Sequence, residues 1–331
     1  MDQRSSKRQR REEQRDNRDP FYRPLDGEAR PYLESEVSFG SDGRLVDGHG
    51  FAVMMQWEQK LMEQHAAWIC GAKGGKRYLN VGFGMGLVDT AIEKHRKTTT
   101  TRHVICEAHP SVFERAKKFA DGVNTAQGRS DAVVVLRGKW QDVWQDVAAM
   151  GPFDGVFWDT YEETVEDFIP LLPALMPHGG RFSFCNVYQP QCVVRHIAYS
   201  AYLAAVLARG GIETAFDVVP VSIPEGEYDG VEAPYWLHES YLVPRCTVPP
   251  SHLVATAAER HDPEKRRRLG LESGEPLDKL LWNAKFWAVS KAAAAVGWSP
   301  PEALLPLAQV WEGVRGALGQ EPAPDFTAPR G

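Results

Sequence analysis

The chain has 331 residues, of which 43% are hydrophobic and 25% are charged, and its formal net charge is −6. This balance is typical of globular proteins, includes no apolar run near the ~20 residues of a membrane span, and gives no indication of a nucleic-acid surface. The charged N-terminus lacks the apolar core of a secretory signal, and the five cysteines form no C-x-x-C pair that would indicate zinc or disulfides. We therefore expect a protein of the cytoplasm or nucleus, with no metal, no membrane contact and no nucleic-acid partner.

The N-terminal part of the chain divides into two segments by charge and patterning. Residues 1–29 are rich in charged side chains and bury too little apolar surface to offset the entropy of ordering, so we predict a disordered tail. Residues 30–75 follow as a predicted lid or substrate-binding segment. Within it, Arg30–Gly50 is typical of short extended pieces joined by turns, and Phe51–Gly71 has the pattern of an amphipathic helix.

Strand and helix patterns alternate through residues 76–246. The predicted strands are apolar on both faces, as buried parallel strands must be: Arg77–Val81, His103–Glu107, Ala132–Arg137, Phe153–Asp159 and Arg181–Phe184. The predicted helices are Leu87–His95, Val112–Ala120, Gln141–Met150, Thr164–Leu175 and Val193–Arg209. Glu213–Ser222 and Tyr235–Val243 are expected to add an antiparallel edge, and Cys106 and Cys185 are expected to be buried as small hydrophobic residues. This order predicts an α/β fold with a doubly wound, mostly parallel sheet.

A C-terminal extension is predicted over residues 247–331. Two helical patterns, Leu277–Val296 and Pro301–Leu318, follow a proline-containing linker, and Gln320–Gly331 is expected to be a disordered end. The apolar stripe of the first helix predicts either core packing or the face of a homodimer.

A glycine-rich turn follows the first predicted strand of the α/β domain. Gly82, Gly84 and Gly86 form a G-x-G-x-G pattern, whereas a dinucleotide fingerprint requires G-x-G-x-x-G and would need glycine in place of Leu87. Glycines at such a turn let the backbone approach a ligand closely. The pattern alone is a weak signal, but it disfavours a nucleotide-dependent dehydrogenase.

The next two predicted strands add candidate nucleoside contacts to the glycine turn. Glu107 ends the second strand about 20 residues beyond the turn, where a carboxylate can accept both hydroxyls of a ribose. After the third strand, Trp140 either contacts an adenine ring or packs at the start of a helix, and Gln141 is placed to contact a base edge. A nucleoside site without a pyrophosphate fingerprint indicates S-adenosylmethionine as the cofactor.

Several stretches resemble the guanidino-directed S-adenosylmethionine methyltransferases: "DGHGFAVMMQWEQKLMEQHA", "LNVGFGMGLVDTAI", "CEAHPSVF", "GKWQDV", "FDGVFWDTYEE" and "RFSFCN". This family includes guanidinoacetate N-methyltransferase and enzymes that methylate the internal (delta) nitrogen of protein arginine. The stretches "EAHP", "WQDV" and "YWLHESYLVPRC" are closer to the protein-arginine branch. The resemblance covers about Tyr32–Cys246 and implies a Rossmann-like class I methyltransferase fold.

The resemblance also implies which residues form the site. An acid in the "MxWE" segment and the aspartate of "DTY" hold the guanidino group in this family, and the matching positions here are Glu58 and Asp159, our predicted catalytic pair. The predicted cofactor contacts are Met54, Met55, Gly82, Phe83, Gly84, Gly86, Glu107, Ala108, Lys139, Trp140, Gln141 and Asp159. The predicted substrate contacts are Trp57, Glu58, Asp159, Thr160, Tyr161 and Asn186.

The position of Asp159 supports this assignment independently, because it ends a predicted strand at the point where open α/β sheets bind ligands. Carboxylates grip a planar guanidinium through paired hydrogen bonds, and we expect Asp159 to take a proton as the nitrogen is methylated. The expected substrate is arginine in a protein or peptide, modified at its internal nitrogen. A small guanidine such as guanidinoacetate is the alternative, with Arg195 and His196 as candidate anchors for its carboxylate. A non-catalytic methyltransferase-fold interaction protein is a further alternative.

Overall fold

The structure is a computed structural model that describes residues 32–71, 77–96, 101–161, 163–177, 179–187, 193–232 and 234–248. The predicted N-terminal tail lies outside the described residues. So does the C-terminal extension beyond residue 248, with both of its predicted helices and the possible dimer face.

A seven-stranded sheet forms the centre of the described chain, and a three-stranded antiparallel sheet lies N-terminal to it in sequence. The strands of the smaller N-terminal sheet are β1 (Val37–Phe39), β2 (Arg44–Asp47) and β3 (Ala52–Met55). The strands of the central sheet are β4 (Arg77–Val81), β5 (Arg102–Glu107), β6 (Val133–Arg137), β7 (Gly155–Trp158), β8 (Arg181–Phe184), β9 (Glu213–Pro220) and β10 (Ser240–Thr247). The helices are α1 (Gln59–Cys70), α2 (Leu87–Lys94), α3 (Pro110–Gln127), α4 (Trp140–Met150), α5 (Leu172–Leu175) and α6 (Val193–Arg209).

The order of the central strands is β6-β5-β4-β7-β8-β10-β9. Strands β4 to β8 run parallel, and β10 pairs antiparallel with both β8 and β9. The prediction of a doubly wound, mostly parallel sheet with an antiparallel edge is therefore confirmed. The order reverses direction between β4 and β7, and a crevice forms at such a reversal because the connections leave to opposite faces of the sheet.

Both faces of the central sheet are covered by packed side chains, as the apolar strands predict. Neighbouring residues of β5 point to opposite faces, so that Val104 and Cys106 belong to one buried cluster and Ile105 to the other. The first cluster includes residues of α4 and α6, and the second includes residues of α1, α2 and α3. The polar groups available for chemistry consequently lie at the strand ends.

Three predicted elements differ from the structure. Phe51–Gly71 is not one helix, because Ala52–Met55 pairs with β2 as a strand and α1 begins only at Gln59. Thr164–Leu175 is broken into two 3-10 turns and the short α5, since prolines at positions 170 and 173 remove backbone donors. The last strand is Ser240–Thr247 rather than Tyr235–Val243.

No helix in the described part of the chain has the length and apolar character needed to cross a bilayer. The same part of the chain contains no group of three or more histidine, cysteine or acidic side chains arranged to hold a metal ion.

Candidate active site at the carboxyl ends of the strands

The glycine turn after β4 folds against the end of β7. Gly82, Gly84 and Gly86 all have positive φ, at 93°, 55° and 74°, which side chains with a Cβ rarely adopt. A Cβ on Gly82 would lie 1.9 Å from the carbonyl oxygen of Asp159, so only glycine permits this contact. The turn therefore brings the predicted cofactor loop and the predicted catalytic aspartate side by side.

Glu107 joins the end of β5 to the same turn. Its Oε2 accepts a hydrogen bond from the Phe83 backbone N–H at 2.8 Å, and its Oε1 accepts one from the His109 N–H at 2.7 Å. Burial raises the pKa of Glu107, while these backbone donors oppose that shift. The neighbouring Ala108, another predicted cofactor contact, is half-buried. The ribose contact of Glu107 stays a prediction.

The predicted adenine side of the site is organised by an acid that the sequence did not single out. Glu163 accepts hydrogen bonds from Trp140 Nε1 at 2.8 Å and from Gln141 Nε2 at 3.1 Å, and Thr160 Oγ1 lies at 3.4 Å. The Trp140 ring packs edge-on against Phe168 and is largely buried. Trp140 therefore packs at the start of a helix, which is one of its two predicted roles. Its contact with an adenine base stays a prediction.

Gln141 and Lys139 are both exposed at the start of α4, and Lys139 occupies the N-cap position without a capping hydrogen bond from its side chain. Neither side chain is buried against the cleft. The predicted contacts of Lys139 and Gln141 with the cofactor stay predictions.

The N-terminal sheet covers the glycine turn. Met54 is buried and its sulfur lies 3.3 Å from the backbone N–H of Met85, inside the turn. Met55 is fully buried, and its backbone N–H donates to Glu58. Of the two methionines predicted to contact the cofactor, Met54 therefore lies at the turn, whereas the side chain of Met55 is core.

A cluster of aromatic rings fixes this N-terminal segment above the ends of β5 and β7. The Tyr32 ring lies 4.8 Å from that of His109 and 4.7 Å from that of Tyr161. The Tyr161 hydroxyl lies 3.4 Å from Asp47 Oδ2, and His109 Nε2 lies 3.0 Å from the Ser35 carbonyl oxygen. Tyr161 thus links the aspartate loop to the N-terminal sheet.

Glu58 lies between the N-terminal sheet and α1 and is 4% exposed. Its Oε1 accepts a hydrogen bond from the Met55 N–H at 2.8 Å and another from the Tyr235 hydroxyl. Burial, and secondly the nearby charge of Asp159, raise the pKa of Glu58 to about 8, although the two hydrogen bonds oppose this shift. Keeping this carboxylate ionised at neutral pH costs free energy, and such strongly shifted pKa values are typical of functional sites.

Asp159 follows β7 directly and is half-buried. The pKa of its carboxyl is raised to about 7, chiefly by burial and also by the charges of Asp89 and Glu107, although a hydrogen bond from the Cys185 thiol opposes the shift. Glu58 and Asp159 interact electrostatically, so the structure brings the two predicted catalytic acids together from different elements. Among the described residues, neither acid forms an ion pair with lysine or arginine.

Two residues beside the acid pair were not predicted as site residues. Cys185 was expected to be buried, but it follows β8 and is only half-buried, with its thiol at Asp159 and the Tyr241 hydroxyl 3.9 Å away. Tyr235 was expected in a strand, but it lies in the loop before β10 and reaches Glu58. The sequence separation of 177 residues between Glu58 and Tyr235 leaves no local pattern that would have indicated the contact.

The remaining predicted substrate contacts differ in their surroundings. Trp57 is half-buried and stacks on Tyr235 with ring centroids 5.7 Å apart, so it lies at the acid pair. Asn186 is 1% exposed, and its Nδ2 donates to Ser200 Oγ and to the Leu242 carbonyl oxygen. Asn186 therefore joins β8 to α6 and β10, and its contact with substrate stays a prediction. The candidate anchor His196 is fully buried, and the Arg195 side chain lies outside what the structure describes.

The donor set of this cleft fits S-adenosylmethionine and a guanidinium. A half-buried glycine turn, a strand-end carboxylate and the sulfur of Met54 border one part of the cleft, as a sulfonium nucleoside requires. The other part holds two acids with raised pKa values and no cation among the described side chains, which suits a planar cation.

One protein-family model matches the part of the chain that contains this site. Residues 30–191 match the family model described as guanidinoacetate N-methyltransferase. The resemblance that the motifs indicated is thereby confirmed, and the match includes Glu58, the glycine turn and Asp159.

Curated relatives extend beyond the family segment. Protein arginine N-methyltransferase 2 of Emericella nidulans is 34% identical over 223 residues, which are 65% of this chain and 49% of that protein. The protein of the same name from Saccharomyces cerevisiae is 30% identical over 224 residues, or 65% of this chain and 52% of that protein. The chain thus spans about half the length of the curated relatives it matches. Among solved structures, the O-methyltransferase TomG from Streptomyces achromogenes in complex with SAM is 16% identical, with a TM-score of 0.42 over 58% of this chain and 80% of that chain.

Proposed function

We propose that this protein is an S-adenosylmethionine-dependent methyltransferase that modifies a guanidino nitrogen, namely the internal nitrogen of arginine in a protein or peptide. One observation carries the proposal: Asp159, at the end of β7, is close enough to Glu58 to raise its pKa, and both acids have raised pKa values without a lysine or arginine partner among the described residues. The names of the curated relatives support arginine as the acceptor.

The acid pair suits a guanidinium for geometric and energetic reasons. A guanidinium is planar and presents a fork of N–H donors that two carboxylates can hold from adjacent sides. Its positive charge offsets the repulsion and desolvation that raise the two pKa values, so binding of the cation is coupled to ionisation of the pair. A neutral substrate would leave these costs in place.

Glu107, Met54 and the glycine turn are proposed to hold the cofactor. S-adenosylmethionine, when bound, supplies an electrophilic methyl group and a good leaving group. The chain's own residues then have to present the nitrogen in line and keep water out. Such alignment contributes roughly 7–11 kcal/mol to rate acceleration.

Asp159 is proposed to take the proton that the guanidino group loses. Prior deprotonation of a guanidinium of pKa ~13 at pH 7 would cost about 8 kcal/mol, so proton removal is better coupled to bond formation. A carboxyl whose pKa is about 7 is matched to this task near neutral pH. Glu58 is proposed to hold the group in position.

The charge of the surrounding loop supports a peptide substrate over a small amino acid. The loop of residues 221–239, which reaches the acid pair through Tyr235, carries acidic side chains and neither lysine nor arginine. A small guanidine with a carboxylate would need a basic partner there, whereas a peptide has no carboxylate beside its arginine. The description of the matching family model favours the alternative, guanidinoacetate, as a second candidate acceptor.

A labelled-methyl transfer assay tests the proposal. The protein is incubated with labelled S-adenosylmethionine and with guanidinoacetate, free arginine, arginine-containing peptides or lysate protein, and mass spectrometry locates the methyl group. Transfer to the internal nitrogen of peptide arginine is expected. Transfer to guanidinoacetate alone would establish the second candidate, and the absence of transfer to every guanidine would refute the proposed reaction.

A further inference from the structure

The loop between β9 and β10, residues 221–239, is anchored on the N-terminal sheet beside Glu58. Arg44 Nη1 donates to the Asp229 carbonyl oxygen at 2.6 Å and Nη2 donates to that of Gly226 at 3.2 Å. The backbone N–H of Glu232 donates to the Gly50 carbonyl oxygen at 2.9 Å. Hydrogen bonds to and from the loop's main chain therefore hold it against the N-terminal sheet and the turn between β2 and β3.

Tyr235 projects from this loop to Glu58. Its ring stacks on Trp57 at 5.7 Å and meets the edge of Tyr228 at 5.8 Å, which fixes the direction of the phenol. The hydroxyl donates to Glu58 Oε1, the same oxygen that accepts the Met55 N–H. In the described part of the chain, Oε2 of Glu58 has no hydrogen-bond partner.

Two donors on one oxygen restrict how the carboxyl can turn. The terminal torsion of glutamate is broad, so an unrestrained carboxyl would sample many orientations. We propose that Tyr235 is a positioning residue, which together with the Met55 N–H fixes Oε1 of Glu58 so that Oε2 is the oxygen presented to the guanidinium. This inference rests on the proposed function. It adds to the candidate active site a residue that is 177 positions from Glu58 in the sequence.

The hydroxyl also affects when Glu58 is ionised. The titratable groups that face Glu58 are Asp159, Cys185, Tyr228 and Tyr235. Burial and the charge of Asp159 raise the pKa of Glu58, and the Tyr235 hydrogen bond lowers it. Removal of that hydroxyl should therefore move the ionisation of Glu58 to higher pH.

Tyr235→Phe tests this role, because it keeps the ring stack and removes only the hydroxyl. With S-adenosylmethionine saturating, kcat/KM for an arginine peptide is measured from pH 6 to 9. Since a hydrogen bond to a charged group is lost, we expect a decrease of about 10-fold or more near neutral pH. The deficit should shrink as pH rises, with unchanged affinity for S-adenosylmethionine.

Tyr199→Phe is the matched control, since it also removes a single phenol hydroxyl, which donates from α6 to Glu166 Oε2 at 2.8 Å. We expect its kcat/KM to change little and equally at every pH. A loss in Tyr235→Phe that is the same at every pH, no loss at all, or failure of this variant to fold would overturn the positioning role. Inactivity of the wild-type protein toward every guanidine would instead refute the proposed function, and the positioning role with it.

Discussion

Two buried acidic clusters lie close together in this molecule, and they differ in what neutralises them. In the first, Asp89 at the start of α2 lies 3.1 Å from His103 Nε2 and accepts hydrogen bonds from Asn80 Nδ2 at 2.9 and 3.0 Å. Glu93 lies 3.2 Å from His103 Nδ1 and pairs with Arg96. Burial alone would lower the pKa of His103, but its two acidic neighbours raise it overall.

In the second cluster, Glu58 is influenced by the charge of Asp159, and the two acids have a tyrosine hydroxyl, a thiol and a backbone N–H as partners but no ion pair with a described lysine or arginine. The acids of the first cluster have basic partners within the fold, His103 and Arg96, and the cluster joins α2 to β4 and β5. Under the proposed function, the acids of the second cluster gain a positively charged partner when the guanidinium binds. The comparison teaches that an acid's partners, rather than its burial, distinguish a structural network from a site.

The largest effect is expected at Asp159. Asp159→Asn keeps the shape and removes the proton acceptor, so turnover should fall by about 10²–10⁴-fold. Affinity for S-adenosylmethionine, measured by calorimetry, should change little. Asp167→Asn removes an exposed acid nearby and should leave turnover unchanged. Normal turnover in Asp159→Asn would show that the second cluster is not the reaction centre.

The structural cluster should instead respond in stability. Asp89→Ala removes one of the two acidic partners of the buried His103, and breaking a buried pair costs about 3–5 kcal/mol of unfolding free energy. Chemical denaturation measures this loss. Asp131→Ala, which removes an exposed ion pair with Arg102, is the control and should alter stability little. Equal losses in the two variants would contradict the distinction.

The pH dependence of kcat/KM should report the second cluster. Both carboxyls must be ionised to hold a cation, and their pKa values of about 8 and about 7 mean that activity is lost as pH falls through that range. The two groups interact, so the profile gives values for the pair. Glu58→Gln should remove one ionisation from the acid limb. A flat profile between pH 6 and 9 would contradict the raised pKa values.

The smallest effect is a gain in stability. The folded pKa of Glu58 lies above its ordinary value of 4.5, so the folded state binds more protons than the unfolded state between these values. Stability contributed by the protonated carboxyl is therefore lost as pH rises toward 8. Glu58→Gln should raise the unfolding free energy at pH 8.5 by about 1–3 kcal/mol and change it little at pH 4. Thermal unfolding at the two pH values checks the sign.

Much of the fold could be predicted from local pattern. The parallel strands are apolar on both faces, and the glycine turn marks the end of β4. Patterning failed where tertiary pairing decided: Ala52–Met55 continues the amphipathic pattern of α1 but forms a strand because β2 lies beside it. The single helix predicted over Thr164–Leu175 does not form, because the prolines at positions 170 and 173 remove backbone hydrogen-bond donors.

The candidate site was predicted unevenly for the same reason. Asp159 follows from its place at a strand end, and Glu58 came from the family motif. Tyr235 and Cys185 were missed because their roles depend on how distant loops and strand ends meet, and no sequence spacing records that. Glu163 was missed because its contacts with α4 are likewise made only in the folded chain.

The central claim is that Glu58 and Asp159 bind a cation. It is tested most directly by measuring the protons released when an arginine peptide binds. Calorimetry in two buffers of different ionisation enthalpy, at pH 7.5 with S-adenosylhomocysteine bound, measures protons exchanged as an arginine peptide binds, with a citrulline peptide as the neutral control. Because a cation lowers both pKa values, we predict release of about one proton with the arginine peptide. The Glu58→Gln/Asp159→Asn variant should release none. Tight binding of the arginine peptide to the wild-type protein without proton release would contradict the account.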